Sequence, residues 1–232
     1  MQRLEETVSI IENRLQSTHL QVQGIDTVPL LMIRWFQALQ TPPTFSKRRT
    51  EDAKALIRLA LTVGDAFLRR PQKMEEERNF ASSDVTVRHL FVFGFRFDDD
   101  RHSGVLKKLL AELGPEPHVL GVTDQRDVYE GLSLAKVPCV LLKPPRTSLR
   151  PEVLKARVSW GDRAMLSRGI WLLEAASGLL DEFKPLSVLT VQDFHFFDQV
   201  FALEAASRGI TTLTHQHGAI PAGGGTVPPS GL

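Results

Sequence analysis

Cysteine is nearly absent from the sequence. Cys139 is the only cysteine among the 232 residues, which excludes an intrachain disulfide and a cysteine-based zinc site. A single thiol is typical of proteins that work in a reducing compartment. We therefore predict a cytoplasmic protein.

The sequence also lacks a long apolar run and an excess of one charge. Residues 1–9 contain Glu5 and Glu6 but no apolar core of a signal peptide, and no stretch approaches the ~18 apolar residues of a membrane span. Lys and Arg number 28 against 27 Asp and Glu, so the net charge of +1 provides no long-range field to recruit nucleic acid. We predict no transmembrane segment and no nucleic-acid partner, while peripheral contact with a membrane stays open.

Known nucleotide and metal motifs are missing as well. The glycines at Gly94 and at 223–225 match neither GxGxxG nor GxxxxGK[ST], which removes the usual support for hydride transfer and NTP hydrolysis. His215 and His217 have a spacing at which a zinc site can begin, but no HExxH motif or cysteine cluster supplies the remaining ligands. We predict no metal site.

The ends of the chain differ from its middle. In 1–84, apolar residues recur at helical spacing over 2–40 and 51–69, and a polar run follows at 70–84. This pattern predicts a helical N-terminal region that ends in a linker. Residues 222–232 are rich in glycine and proline and predict a flexible tail.

Residues 85–221 alternate between strand and helix patterns. Short apolar runs predict strands, and longer runs with helical spacing predict helices between them. Such alternation is typical of a parallel sheet, so we predict an α/β fold, a Rossmann-like parallel sheet of about five strands covered by helices. The predicted strands are 87–95, 118–122, 137–142, 187–191 and 210–214, and the predicted helices are 104–113, 128–135, 152–183 and 194–207.

Sheets of this kind bind ligands beyond the carboxyl ends of their strands, because loops and helix N-termini converge there. Asp193 and Asp124 can each bind a sugar hydroxyl, act as a base or cap the following helix, and we favour the cap. The full set of positions at strand ends is Gly94, Phe95 and Arg96 after the first strand, Thr123 and Asp124 after the second, Gln192 and Asp193 after the fourth, and His215 to Gly218 after the fifth.

The sequence His215-Gln216-His217-Gly218 is the strongest local candidate for chemistry. The two histidines share a face of a continuing strand, and Gly218 permits a close approach of the backbone to a ligand. An imidazole can bind a phosphate or transfer a proton near neutral pH. Either histidine can equally make hydrogen bonds within a loop. His217 is preferred over His215 because it adjoins the glycine.

Two further patterns have a structural interpretation beside a functional one. Residues 143–168 carry an excess of basic side chains, which can receive a phosphate or form a solvated helix face, and we favour the solvated face. Phe91, Phe93, Phe95 and Phe97 alternate along the first predicted strand. They can stack on nucleobases, but in a sheet covered on both faces we predict that they form core.

Residues 186–221 carry a family resemblance. Asp193 near a strand end, an alanine-rich helix at 202–206, the Gly209-Ile210-Thr211 strand start and the Gln216-His217-Gly218 turn follow one another in this order. The order resembles the end of the N-terminal domain of GT-B-type glycosyltransferases of bacterial surface and capsule polysaccharide synthesis, of the CDP-glycerol glycerophosphotransferase kind.

The resemblance implies a two-lobed transferase. Its N-terminal lobe holds a sugar or polyol-phosphate acceptor, and its C-terminal lobe holds a CDP- or UDP-linked donor. The Gln216-His217-Gly218 turn faces the cleft between the lobes, with His217 nearest the reaction. We thus predict His217 as the catalytic residue; the predicted substrate-binding residues are His215, Gln216, Gly218, Asp193 and Arg96.

Only 14 residues follow Gly218, which are too few for a donor lobe. We therefore predict the acceptor-side half of a GT-B-like glycosyl or glycerophosphoryl transferase, which is either truncated or dependent on a separate subunit that supplies the donor-binding lobe. Whether this chain alone is an enzyme stays open. The alternative hypothesis is a non-catalytic Rossmann-like binding or scaffold module. A nucleotide-sugar epimerase-like protein is a third, less favoured hypothesis.

Overall fold

The computed structural model describes a subset of the chain, most of it between Met74 and Thr214. The described residues are 21–22, 25–26, 50, 53–54, 56–57, 60, 74–82, 85–94, 118–145, 150, 153–154, 158–191 and 195–214. Most of the helical region predicted for 1–84, the helix predicted over 104–113 and the tail at 222–232 lie outside them. Near the N-terminus, β1 (Gln21–Val22) and β2 (Ile25–Asp26) form a short antiparallel pair.

A six-stranded mixed sheet carries most of the described structure. Its order is β3-β6-β5-β4-β7-β8, with β3 antiparallel to β6 and all other neighbours parallel. The prediction of a mostly parallel α/β sheet is confirmed. The strands are β3 (Glu75–Arg78), β4 (His89–Phe93), β5 (Val119–Thr123), β6 (Cys139–Lys143), β7 (Ser187–Thr190) and β8 (Thr211–Thr214), and the helices are α1 (Arg126–Leu134), α2 (Trp160–Phe183) and α3 (Phe196–Ser207).

The order of the five parallel strands is that of the Rossmann-like, doubly wound fold. The chain starts at β4, moves outward through β5 and β6, and returns to the other side of β4 to form β7 and β8. In this arrangement the direction of winding reverses between β4 and β7. No described helix is long and apolar enough to cross a membrane.

The β3 strand corrects the prediction of a linker over 70–84. Its residues, Glu75–Arg78, pair with β6 and form the edge of the sheet. Glu77 accepts hydrogen bonds from Arg126 at 2.7 Å and from Lys143 at 2.9 Å, and Arg78 binds Glu182 at 2.6 Å. Charged partners therefore hold this strand in place, and charges on an edge strand also oppose pairing with other chains.

The core lies on both faces of the sheet because β4 is apolar at successive positions. Phe91 and Phe93 pack with Val128 and Leu132 of α1. Leu90 and Val92 point to the opposite face and are fully buried. The α3 helix contacts β4, β7 and β8 and contributes the fully buried Phe197 and Phe201. The prediction of core is confirmed for Phe91 and Phe93, while Phe95 and Phe97 lie outside the described residues.

The chain divides into two compact units. The unit with the six-stranded sheet contains Glu75–Lys143 and Leu173–Pro221, together with Pro228–Leu232. The other contains Met1–Met74, Pro144–Leu172 and Ala222–Val227.

The unit without the sheet contains most of the basic stretch at 143–168. There the Arg150 guanidinium lies 4.5 Å from the centre of the Trp171 ring, and Arg163 lies 4.4 Å from that of Trp160. The buried Ser167 hydroxyl accepts the N–H of Arg150. These cations contact the protein's own side chains, in line with a structural role.

Candidate functional site

The site is expected where β4 and β7 end, because their connections leave in opposite directions and open a crevice. Gly94 follows β4 and Val191 follows β7. The residue before α3, His195, brings the N-terminus of that helix to the same edge. This carboxyl edge of the sheet is the surface that the sequence selects for ligand binding.

Gly94 is a glycine because no side chain fits at its position. An added Cβ would collide with Nδ1 of His195 and lie 2.9 Å from Cβ of Phe197. Real Cβ atoms never approach a ring atom so closely, so the imidazole of His195 rests directly against the backbone of Gly94. The end of β4 and the start of α3 are thereby packed together at the reversal of winding.

A buried carboxylate makes the second link at this point. Asp198, in the first turn of α3, is 1% exposed and accepts the Gly94 N–H through Oδ1 at 2.9 Å. The N-terminal end of a helix stabilises a negative charge. Asp198 therefore joins two elements that lie 104 residues apart in the sequence.

Hydroxyl groups complete the carboxyl edge on both sides of Gly94. Thr123, fully buried, donates from Oγ1 to the Phe93 carbonyl at 2.8 Å and accepts the Gln125 N–H at 3.0 Å. Thr190 and Thr214 join β7 to β8 through their hydroxyls at 2.9 Å. Thr123 is one of the strand-end residues predicted for ligand binding. Its hydroxyl instead makes hydrogen bonds to the backbone of the protein.

The chemistry available at the edge is that of an imidazole beside a buried carboxylate. The Gly94 N–H, which would meet a phosphate in a dinucleotide-binding turn, is already bound to Asp198. The negative charge of that carboxylate also opposes a second anion. Within the described residues, no group of three His, Cys, Asp or Glu side chains could hold a metal ion.

The cysteine and the tyrosine in the core do not add a nucleophile to this edge. Burial raises the pKa of the Cys139 thiol and that of the Tyr129 hydroxyl. A thiol with a raised pKa forms little thiolate and is correspondingly unreactive. Both side chains belong to the packing between α1 and the sheet.

All six predicted site residues lie outside the described residues: Arg96, Asp193, His215, Gln216, His217 and Gly218. Their roles therefore stay predictions. Gly94 lies two residues before Arg96, His195 two residues after Asp193, and Thr214 directly before His215. Gly94 follows β4, His195 lies between β7 and α3, and Thr214 is the last residue of β8. These three strands are direct neighbours in the sheet.

Sequence reasoning missed His195 and Asp198. Both follow Asp193 within five residues, in the sequence Asp193-Phe194-His195-Phe196-Phe197-Asp198. A histidine just before a helix and an acid in the first turn were local signals, but their contact with Gly94 could not be seen from spacing. The comparisons of this chain with protein-family models, curated proteins and solved structures found no match.

Proposed function

We propose that this chain is the acceptor-binding side of a GT-B-like glycosyl or glycerophosphoryl transferase. The observation that carries the proposal is the joining of β4 to α3 at the reversal of winding, through Gly94, His195 and Asp198. That joint lies at the end of β4, next to the turn in which a Rossmann-like sheet binds the diphosphate of a nucleotide. Because the Gly94 N–H is already bonded to the Asp198 carboxylate, this strand end favours the hydroxyl group of an acceptor over a diphosphate.

The adjacency of β4, β7 and β8 also supports this function. The segments that contain Arg96, Asp193 and His217 each begin at the carboxyl end of one of these strands. A CDP- or UDP-linked donor then belongs to a second lobe or to a partner subunit. The hydroxyl end of a sugar or polyol-phosphate acceptor would lie along the carboxyl edge of β4, β7 and β8.

The proposed reaction needs one base on the acceptor side. His217 takes the proton of the acceptor hydroxyl as its oxygen attacks the anomeric carbon, or the phosphorus, of the donor. The bond between that atom and the nucleotide breaks, and the nucleotide leaves with the electron pair. His195, at the same edge, provides a second imidazole that can orient the acceptor by a hydrogen bond.

Ligand titration followed by amide NMR tests the binding half of the proposal. Glycerol is the neutral acceptor probe, and CDP and UDP are the nucleotide probes. We expect glycerol at high millimolar concentration to shift the amides of Gly94, Thr123 and His195, with little effect from either nucleotide. A nucleotide that binds at Gly94, or an acceptor probe that leaves this edge unchanged, would contradict the proposal.

Substitution of the histidines tests the catalytic half. With CDP-glycerol and UDP-glucose as donors and a lysate supplying the second lobe, His217→Gln should lower transfer by about 100-fold or more. His89→Gln is the matched control, because His89 begins β4 at the opposite end of the sheet and bonds Ser187 there at 2.9 Å. Equal activity of the two variants would remove His217 from the reaction.

The exposed edge strand favours a binding or scaffold module as the second candidate. All four side chains of β8 are exposed, and Leu213 is exposed over 51% of its surface. An edge of this kind can accept a strand or a lobe from another protein. Light scattering across a concentration series, with Leu213→Lys as the variant, measures whether this edge pairs with a second copy of the chain.

A further inference from the structure

The amino edge of the sheet, opposite the candidate site, carries a row of basic residues. Each of the five parallel strands is preceded by a turn that contains one of them. In the order of the strands across the sheet they are Lys136 before β6, His118 before β5, Arg88 before β4, Lys184 before β7 and Arg208 before β8. Neighbouring strands lie about 4.8 Å apart, so the row extends over about 19 Å.

Backbone contacts hold these turns side by side. The Arg88 N–H donates to the His118 carbonyl at 2.7 Å, and the Leu186 N–H donates to the Arg88 carbonyl at 2.8 Å. Lys136 and Lys184 adopt left-handed backbone angles, with φ of 58° and 47°, at positions that favour glycine. Both lysine side chains are exposed.

Two leucines project beside the lysines. Leu134, two residues before Lys136, is exposed over 86% of its surface, and Leu186, two residues after Lys184, over 68%. Large exposed apolar side chains next to cations are typical of surfaces that lie at a membrane interface.

The acids near this edge are held by arginines. Asp181 accepts a hydrogen bond from Arg208 at 2.6 Å, and Glu182 accepts one from Arg78 at 2.6 Å. The hydrogen bond from Arg208 lowers the pKa of Asp181, and the positive charge of Lys184 lowers it further. Arg208 also binds Glu204, and Arg78 also binds Glu76. Together with Arg88, Lys136 and Lys184, five cations then face four acids, so the positive charge of the edge comes from these three exposed cations.

We propose that the amino edge docks on an anionic lipid bilayer. Arg88, Lys136 and Lys184 contact the lipid phosphates, and Leu134 and Leu186 enter the boundary between headgroups and acyl chains. The leucines favour a bilayer over a nucleic acid, which has no apolar layer to receive them. The strands of about 5 residues then hold the carboxyl edge roughly 16 Å above the lipid phosphates.

Vesicle co-sedimentation of the full chain tests this surface. The vesicles contain either phosphatidylcholine alone or phosphatidylcholine with 30 mole per cent phosphatidylglycerol, a fraction of about one third chosen to give a strong surface potential. We expect binding to the anionic vesicles only, weakened by salt. Each basic contact supplies about a fivefold gain in partitioning, so the double variant Lys136→Gln and Lys184→Gln should lower it about 25-fold.

Matched variants separate this edge from a general charge effect. Lys54→Gln removes an exposed charge from the unit without the sheet and should reduce binding less than Lys184→Gln. Leu186→Ser should weaken binding about tenfold, whereas Leu213→Ser, at the exposed β8 edge, should not. Equal binding to neutral vesicles, no binding to either kind, or equal loss in the control variants would overturn the proposal.

Discussion

At the scale of single residues, position 94 requires glycine because there is no room for a side chain, and not because of its backbone angles. We expect Gly94→Ala to lower the free energy of unfolding by about 1–3 kcal/mol, because the new methyl group must displace the His195 ring. Urea unfolding followed by circular dichroism measures the change. Gly131→Ala is the control: Gly131 lies in α1 with open space at its Cβ position, so alanine should stabilise the protein by about 0.5–1 kcal/mol. Equal effects of the two substitutions would contradict the packing at Gly94.

Glu77 makes stability depend on pH. Hydrogen bonds from Arg126 and Lys143 lower the pKa of Glu77 from 4.5 to about 2. Because its pKa is lower in the folded state, the stabilisation is fully present above pH 4.5 and is lost as the pH falls through about 2. We expect Glu77→Gln to flatten the fall of the melting temperature between these pH values.

The neighbouring Glu75 provides the control for this measurement. Its side chain is exposed on the same strand and takes no part in the salt bridges of Glu77. Glu75→Gln should therefore keep the acid sensitivity of the wild-type protein. If both variants melt as the wild type does at every pH, the ion pairs of β3 contribute nothing to stability.

At the scale of elements, one arginine connects two helices. Arg208 follows α3 and binds Asp181 of α2 at 2.6 Å and the buried Glu204 of α3 at 2.7 Å. We expect Arg208→Gln to lower the free energy of unfolding by about 1–3 kcal/mol, because it leaves the Glu204 carboxylate buried without its cation. Adding Glu204→Gln removes that charge and should recover part of the loss. A double variant that is no more stable than the single one would show that Glu204 is not the cause.

Helices and strands differ in how far the sequence predicted them. The strands β4 to β8 and the helices α1 and α3 lie within a few residues of their predicted positions, because an apolar run or a helical period is a local property. Gly209, at φ 69°, ends α3 and precedes β8. The β3 strand was missed because its residues Glu75–Arg78 contain no apolar side chain. Its partners, such as Glu182, lie up to 104 residues away.

At the scale of the whole molecule, Cys139 reports on unfolding. It is fully buried beneath α1, and burial raises the pKa of its thiol. We expect the native protein to react with a thiol reagent at least about 100-fold more slowly than the urea-unfolded chain, because the buried thiol is out of reach of the reagent and its raised pKa leaves little thiolate. Labelling followed by absorbance measures both rates. Fast labelling of the native protein would mean that α1 separates readily from the sheet.

The sequence by itself determined the α/β character of the sheet unit and the order of β4 to β8, α1 and α3 along the chain. It also determined that the chain offers no nucleotide fingerprint, since these properties depend on local periods and on motifs within a few residues. Only the tertiary structure decided that β3 joins the sheet and that the winding reverses beside β4. It also brought Gly94 against His195 and Asp198, more than 100 residues further along the chain. Contacts over such separations depend on how the strands order themselves, which side-chain spacing does not encode.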